Sequence, residues 1–149
     1  MVSYPPGPDL RTFPGIADLL PDAPADDPRV FIGIEGSAAM LAAVMRLLAP
    51  PFVEHRGAVL LGFSFDPATV DDWFDRLGDV AAVEGIVNHV HLWDLLPPHT
   101  LSEGEAERLA APLAWFWGAA LRAAHPDREF VVEVTQDGGY GPEVTFYGR

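Results

Sequence analysis

Cysteine is missing from this 149-residue chain, and so is lysine, all nine basic residues being arginine. Without a thiol there is no disulfide, no thiolate nucleophile, no cysteine-ligated zinc and no iron–sulfur cluster. Without lysine there is no Schiff base, hence no pyridoxal chemistry, and no phosphate-gripping lysine of a nucleotide-binding P-loop. Side-chain amides are nearly as scarce, Asn88 and Gln136 being the whole supply. The bias toward Ala, Gly, Pro, Arg, Val, Leu and Asp fits the codons of a GC-rich bacterial genome. No run approaches the ~18 apolar residues of a membrane span. No apolar stretch follows a basic head at the start, so the expectation is a cytoplasmic protein that stays where it is made.

Positive charge is the next scarcity. Nine bases against 22 acids leave a net charge of −13, and between Asp66 and Glu107 ten carboxylates face a single base, Arg76. Such a field repels nucleic acid and anionic membranes and speeds encounter with basic surfaces. It therefore predicts no nucleic-acid or membrane partner and, if a partner exists, a protein with a basic surface. The simpler account is that acidity keeps a small protein soluble.

The length suits one domain, burying roughly 68–70% of the surface its unfolded chain exposes. Residues 1–28 hold seven prolines, too many for a helix or a central strand, and read as an extended arm. Its apolar side chains, among them Phe13 and Ile16, suit docking across an otherwise exposed face. Residues 29–149 read as a single α+β or α/β domain.

Within it the signals alternate. "VFIGIEG" (30–36) reads as a strand, and Ser37 caps a helix to about Ala49 that has only Arg46 as a charge and so should be buried on most sides. "AVLLGFSF" (58–65) reads as a second strand. Asp66 and Pro67 open a helix that ends at Gly78. Ile86 to Leu95 reads as a third strand, and Ser102 with Glu105 forms a capping box that starts a helix to Ala124, kinked or split at Pro112. "REFVVEVTQ" and "PEVTFYG" flank the turn-rich "DGGYG" and close the chain as a hairpin. The order β-α-β-α-β-α-β-β predicts a mixed sheet with helices mainly on one face.

Alternation along such strands would put His89, His91 and Trp93 on one face with Glu133 and with Glu35 or Tyr147 nearby, and Ser64 at its edge. Two imidazoles at i and i+2 with a carboxylate are a metal-site pattern, the candidate ligands being His89, His91 and Glu133. The same three residues are candidate catalytic groups without metal, acting as general acid and base with Glu35 as an alternative orienting carboxylate. A histidine pair on a strand is more often a plain surface or recognition feature, since no third ligand sits at a diagnostic spacing. Ser64 lies outside a G-x-S-x-G elbow, which disfavours a serine nucleophile. "GIEGSAA" is most simply a strand-to-helix turn, and Trp115, Phe116 and Trp117 are most simply core.

Two functional readings result. The first is a non-catalytic protein-binding module, a small acidic bacterial inhibitor or immunity-type protein that uses the open sheet face and the acidic helix with Asp71, Asp72 and Asp75. The second is a small enzyme or ligand-binding protein with a histidine-centred site, dependent on a divalent metal in one version. The apolar remainder of the open face (Phe31, Leu60, Val87, Val131) would also suit a homodimer.

Overall fold

The computed structural model describes residues 7–13, 15–16, 27–136 and 140–149. They form a small mixed helix-and-strand domain with five helices and two antiparallel sheets. The proline-rich arm lies mostly outside the described residues. Of its described part, Pro8 borders a cavity, Phe13 sits under the Arg108 guanidinium at 5.3 Å and Ile16 is buried.

The first expected strand is a helix. Residues Pro28–Glu35 (α1) open on Asp27, whose carboxylate accepts from the Arg29 N–H, with proline at the first helical position. This cap-plus-proline start outweighs the β-rich composition of "VFIGI". Ser37 then caps Ala38–Leu48 (α2) as expected. The expectation that α2 is buried on most sides is overturned: no residue of α1 or α2 is buried, and Leu41, Val44 and Met45 are at least 40% exposed. Its end alone is tied down, by the buried Trp117 indole N–H donating to the Leu47 carbonyl at 2.8 Å.

A hairpin follows. Phe52–His55 (β1) and Ala58–Leu61 (β2) pair through Arg56 and Gly57, both with positive φ (51° and 87°), the backbone of the two-residue turn that matches strand twist. β2 is shorter than the predicted 58–65, because the chain turns back beyond Leu61. It is buried on both faces. Val59 and Leu61 join the main core with Leu113, Trp117 and Phe146, while Ala58 and Leu60 pack against Val70, Phe74 and Val83. Helices on one face only is therefore incorrect at this strand, and Leu60 is not on an open surface.

Pro67–Leu77 (α3) is capped by Asp66 and ends at Gly78, which takes the left-handed conformation. Asp79 at once caps Val80–Val87 (α4), so the third predicted strand is mostly something else. Only Val90–His91 (β3) is extended, followed by a 3-10 turn at Leu92–Leu95. The capping box at Ser102 starts Glu103–Ala124 (α5), which runs through Pro112 as one helix. Phe130–Gln136 (β4) and Pro142–Gly148 (β5) are antiparallel, as the closing hairpin predicted, with β3 on the other side of β5. In place of one mixed sheet there are thus two sheets, β1-β2 and β3-β5-β4, with every pairing antiparallel.

α4 joins the two sheets. Successive residues of a strand point their N–H and C=O to opposite sides, so Val59 and Leu61 turn theirs away from β1. Glu84 accepts from Val59 N at 2.7 Å and from Gly148 N at 2.5 Å. Asn88 accepts from Leu61 N at 2.9 Å and donates to Val59 O at 2.9 Å and Phe146 O at 3.3 Å. Both side chains are fully buried. Arg128 adds a contact to Glu84 at 3.4 Å. No helix among the described residues is long and apolar enough to cross a membrane.

Candidate functional site

The histidine segment begins where α4 stops. Asn88 closes the helix through its N–H to Glu84 O, and the next residue, His89, projects toward solvent. Its Nδ1 is hydrogen-bonded to the Ile86 carbonyl. A carbonyl only accepts, so Nδ1 carries the proton and Nε2 is the free lone pair of the neutral ring. His91, in β3, stands opposite Glu143 of β5. Its Nε2 is 3.6 Å from Glu143 Oε2, and its Nδ1 is buried with no hydrogen-bond partner among the described residues. The His89 and His91 rings meet edge-on at 5.2 Å between centroids. One ligand atom from each of His89, His91 and Glu143 lies within 4.8 Å of the others.

An aromatic lid closes one flank. Tyr140 sets its ring edge-on to His91 at 4.8 Å and to Trp93 at 6.1 Å. Its hydroxyl donates to Asp94 at 2.9 Å, and that bond to a carboxylate raises the phenol above its ordinary pKa. Gly141 has φ +76°, and a side chain there would run into the Trp93 ring at 2.8 Å, so the close seat of Trp93 requires glycine. Residues 137–139 of the "DGGYG" loop lie outside the described residues.

The structure sets the His89 and His91 rings side by side and reaches Trp93 only through Tyr140. The strand from which alternation expected this grouping is a helix end, two extended residues and a 3-10 turn, and the carboxylate beside the histidines is a different one. Glu133 stands opposite Thr145 and accepts a 2.6 Å bond from the Tyr147 hydroxyl, a bond that raises the tyrosine pKa. Glu143 takes the place beside the histidines. Glu143, Thr145 and Tyr147 alternate along β5, but only the β3–β5 register puts Glu143 opposite His91. Glu35 ends α1 and is exposed, and Ser64 lies half-buried in the turn after β2. On α3, Asp71 accepts from His55 Nε2 at 2.8 Å and Arg56 at 3.2 Å. The His55 bond, then the Arg56 bond, hold its carboxyl below the usual aspartate range. Asp75 is 3.8 Å from the same arginine, and Asp72 is exposed.

A second feature had no forewarning. Between α2, the 3-10 turn and α5 lies a cavity of about 710 Å³, walled by apolar side chains such as Val44, Leu47, Leu92, Leu96, Leu109 and Phe116. Among the described residues Arg46 is the one charged residue on its wall. The apolar surface does not stop at the mouth: Met40, Leu41, Val44 and Met45 carry it over the outside of α2, each 40% exposed or more. Two methionines here make the surface easy to remould around different shapes. Periodicity hid this groove, because an apolar helix reads as core whether or not anything covers it.

Compared with protein families, curated proteins and solved structures, the chain matches none.

Proposed function

We propose that the protein is a non-catalytic binding module whose groove, between α2, the 3-10 turn and α5, receives an amphipathic, basic-flanked helix of a protein partner. The observation that carries this reading is the exposed apolar surface, continuous from the cavity over α2, since monomeric soluble proteins rarely leave such patches uncovered. A small ligand of a size to fill the cavity would leave Leu41 and Met45 in water. A helix laid into the groove can cover both, as in helix-in-groove recognition. Net charge, rather than the wall itself, favours a basic partner: the chain carries −13, while the charged residue on the described wall is Arg46. A second copy of a chain carrying −13 would bring its own repulsion to the same face. An inhibitor or immunity-type role, neutralising a basic protein, fits this surface.

The test uses two helix-forming model peptides, one of leucine and arginine and one of leucine and glutamate with the same apolar face. Fluorescence anisotropy should show the cationic peptide binding the full chain and the anionic one not binding. Val44→Asp and Leu96→Asp, at exposed positions, should abolish binding with an unchanged melting temperature. Equal binding of both peptides, or binding indifferent to both substitutions, refutes the reading. A dimer in sedimentation that Val44→Asp dissolves would assign the groove to a second copy instead.

A further inference from the structure

We propose that His89, His91 and Glu143 form a binding site for a divalent transition-metal ion, with Zn²⁺ the cation this donor set suits best. The site is independent of the groove and of any partner.

Distance is the first argument. Zinc bonds of about 2.0–2.2 Å in tetrahedral geometry place ligand atoms roughly 3.3–3.6 Å from one another. His91 Nε2 and Glu143 Oε2 are already 3.6 Å apart. That is too long for a good hydrogen bond and right for two ligands of one ion. One ligand atom from each of the three residues lies within 4.8 Å of the others, close to the span of a single coordination sphere.

Orientation is the second. Metal-bound histidines characteristically donate their other ring N–H to a carbonyl or carboxylate, which fixes tautomer and ring direction. His89 already does so through Nδ1 to Ile86 O, leaving Nε2 ready to ligate. Its backbone is held by Asn88, anchored to Val59, Leu61 and Phe146. His91 and Glu143 are held opposite each other in the β3–β5 ladder. The backbone framework is therefore assembled before any ion arrives.

Donor chemistry is the third. Two imidazoles and a carboxylate, without thiolate, favour zinc, nickel or copper over magnesium or calcium, which prefer all-oxygen sets. Three protein ligands leave a coordination position for water, and the exposure of His89 gives the ion a path in. The competing account is a direct His91–Glu143 contact at 3.6 Å, which needs no metal.

The deciding experiment is calorimetric titration of chelator-treated full-length protein with Zn²⁺, alongside His89→Ala, His91→Ala, Glu143→Gln and the control His99→Ala. The expected result is one ion per chain, with affinity reduced at least ~10-fold by each of the first three substitutions and unchanged in the control. In parallel, ¹⁵N ring resonances of the unmutated protein are followed during Zn²⁺ addition, which keeps the test decisive if an alanine variant fails to fold. His89 and His91 should shift together and saturate at one equivalent, while His55, His99 and His125 stay in place. No saturable binding, or shifts spread over all five histidines, overturns the proposal.

Discussion

If α4 joins the two sheets through Glu84 and Asn88, the join should be the most sensitive polar feature of the fold. Asn88→Ala removes three buried hydrogen bonds, to Leu61 N, Val59 O and Phe146 O. The Leu61 N–H then has no acceptor and no access to water. An orphaned buried donor costs about 1–3 kcal/mol, and the two carbonyls, which lose a weaker share, bring the total to roughly 2–4 kcal/mol. Glu84→Gln is a near-isosteric companion. Its amide can accept from only one of Val59 N and Gly148 N, and it gives up the charge that pairs with Arg128. About 1–3 kcal/mol is expected there too. Against a total stability of about 5–15 kcal/mol for a domain, either change is large.

Urea denaturation followed by tryptophan fluorescence measures this directly. With m of about 2 kcal/mol per molar, the midpoint of Asn88→Ala should fall by roughly 1–2 M at unchanged m. Glu84 and Asn88 both serve Val59, so the double variant should lose less than the sum of the two singles. If both single variants unfold within about 0.5 kcal/mol of the parent, the joining role of α4 is wrong, and packing of Val83 and its neighbours holds the sheets together alone.

Two further outcomes follow from the geometry. The Asp71 carboxyl is depressed by His55 and Arg56, so its contribution exists above the ordinary aspartate pKa and is lost as pH falls through the lower folded value. Asp71→Asn should therefore melt below the parent at pH 6, the difference vanishing in strong acid; a constant difference across that range would refute the assignment. Trp117→Phe removes the indole donor to Leu47 O at a cost of about 1–2 kcal/mol. Amide exchange should rise in residues 38–48 and stay unchanged in α5, and equal protection of α2 in both proteins would show that this bond does not hold it.

Much of this fold was legible where capping chemistry was read, and was misread where composition was trusted instead. Asp66-Pro67 identified a helix start correctly. Asp27-Pro28 is the same doublet and starts a helix in the same way, but the β-rich "VFIGI" after it drew the strand reading. Gly78-Asp79 likewise ends one helix and caps the next. A short apolar run carries no period, so its caps are the better guide. The β1–β2 hairpin shows the converse: "FVEH" and "AVLL" around Arg56-Gly57 state a two-residue turn once glycine is read as a positive-φ position. At the histidine site, alternation assumed a strand over residues 86–95, where the chain instead ends a helix, extends for two residues and enters a 3-10 turn. It could not supply Glu143, because which carboxylate of β4 or β5 faces β3 depends on register, a property of pairing rather than of any one segment.

Asn88 shows how a global role can hide in a visible residue. The only asparagine in the chain stands out in composition, yet nothing local says why it is there. Its reason is metric. Four residues of helix advance about 6 Å, and two residues of strand advance about 6.6 Å. A polar pair at i and i+4 can therefore address alternate backbone groups of a neighbouring strand edge. Glu84 and Asn88 do this to β2 on one side and to β5 on the other, bridging edges that the main chain itself leaves unpaired. An amide supplies both donor and acceptor, and Asn88 must offer both, to Val59 O and Leu61 N; Glu84 meets only donors and needs only oxygens. The residue types at 84 and 88 thus follow from the polarity of the backbone groups they meet. Exchanging the two would place a carboxylate against two carbonyls, and the sheets would part at that point.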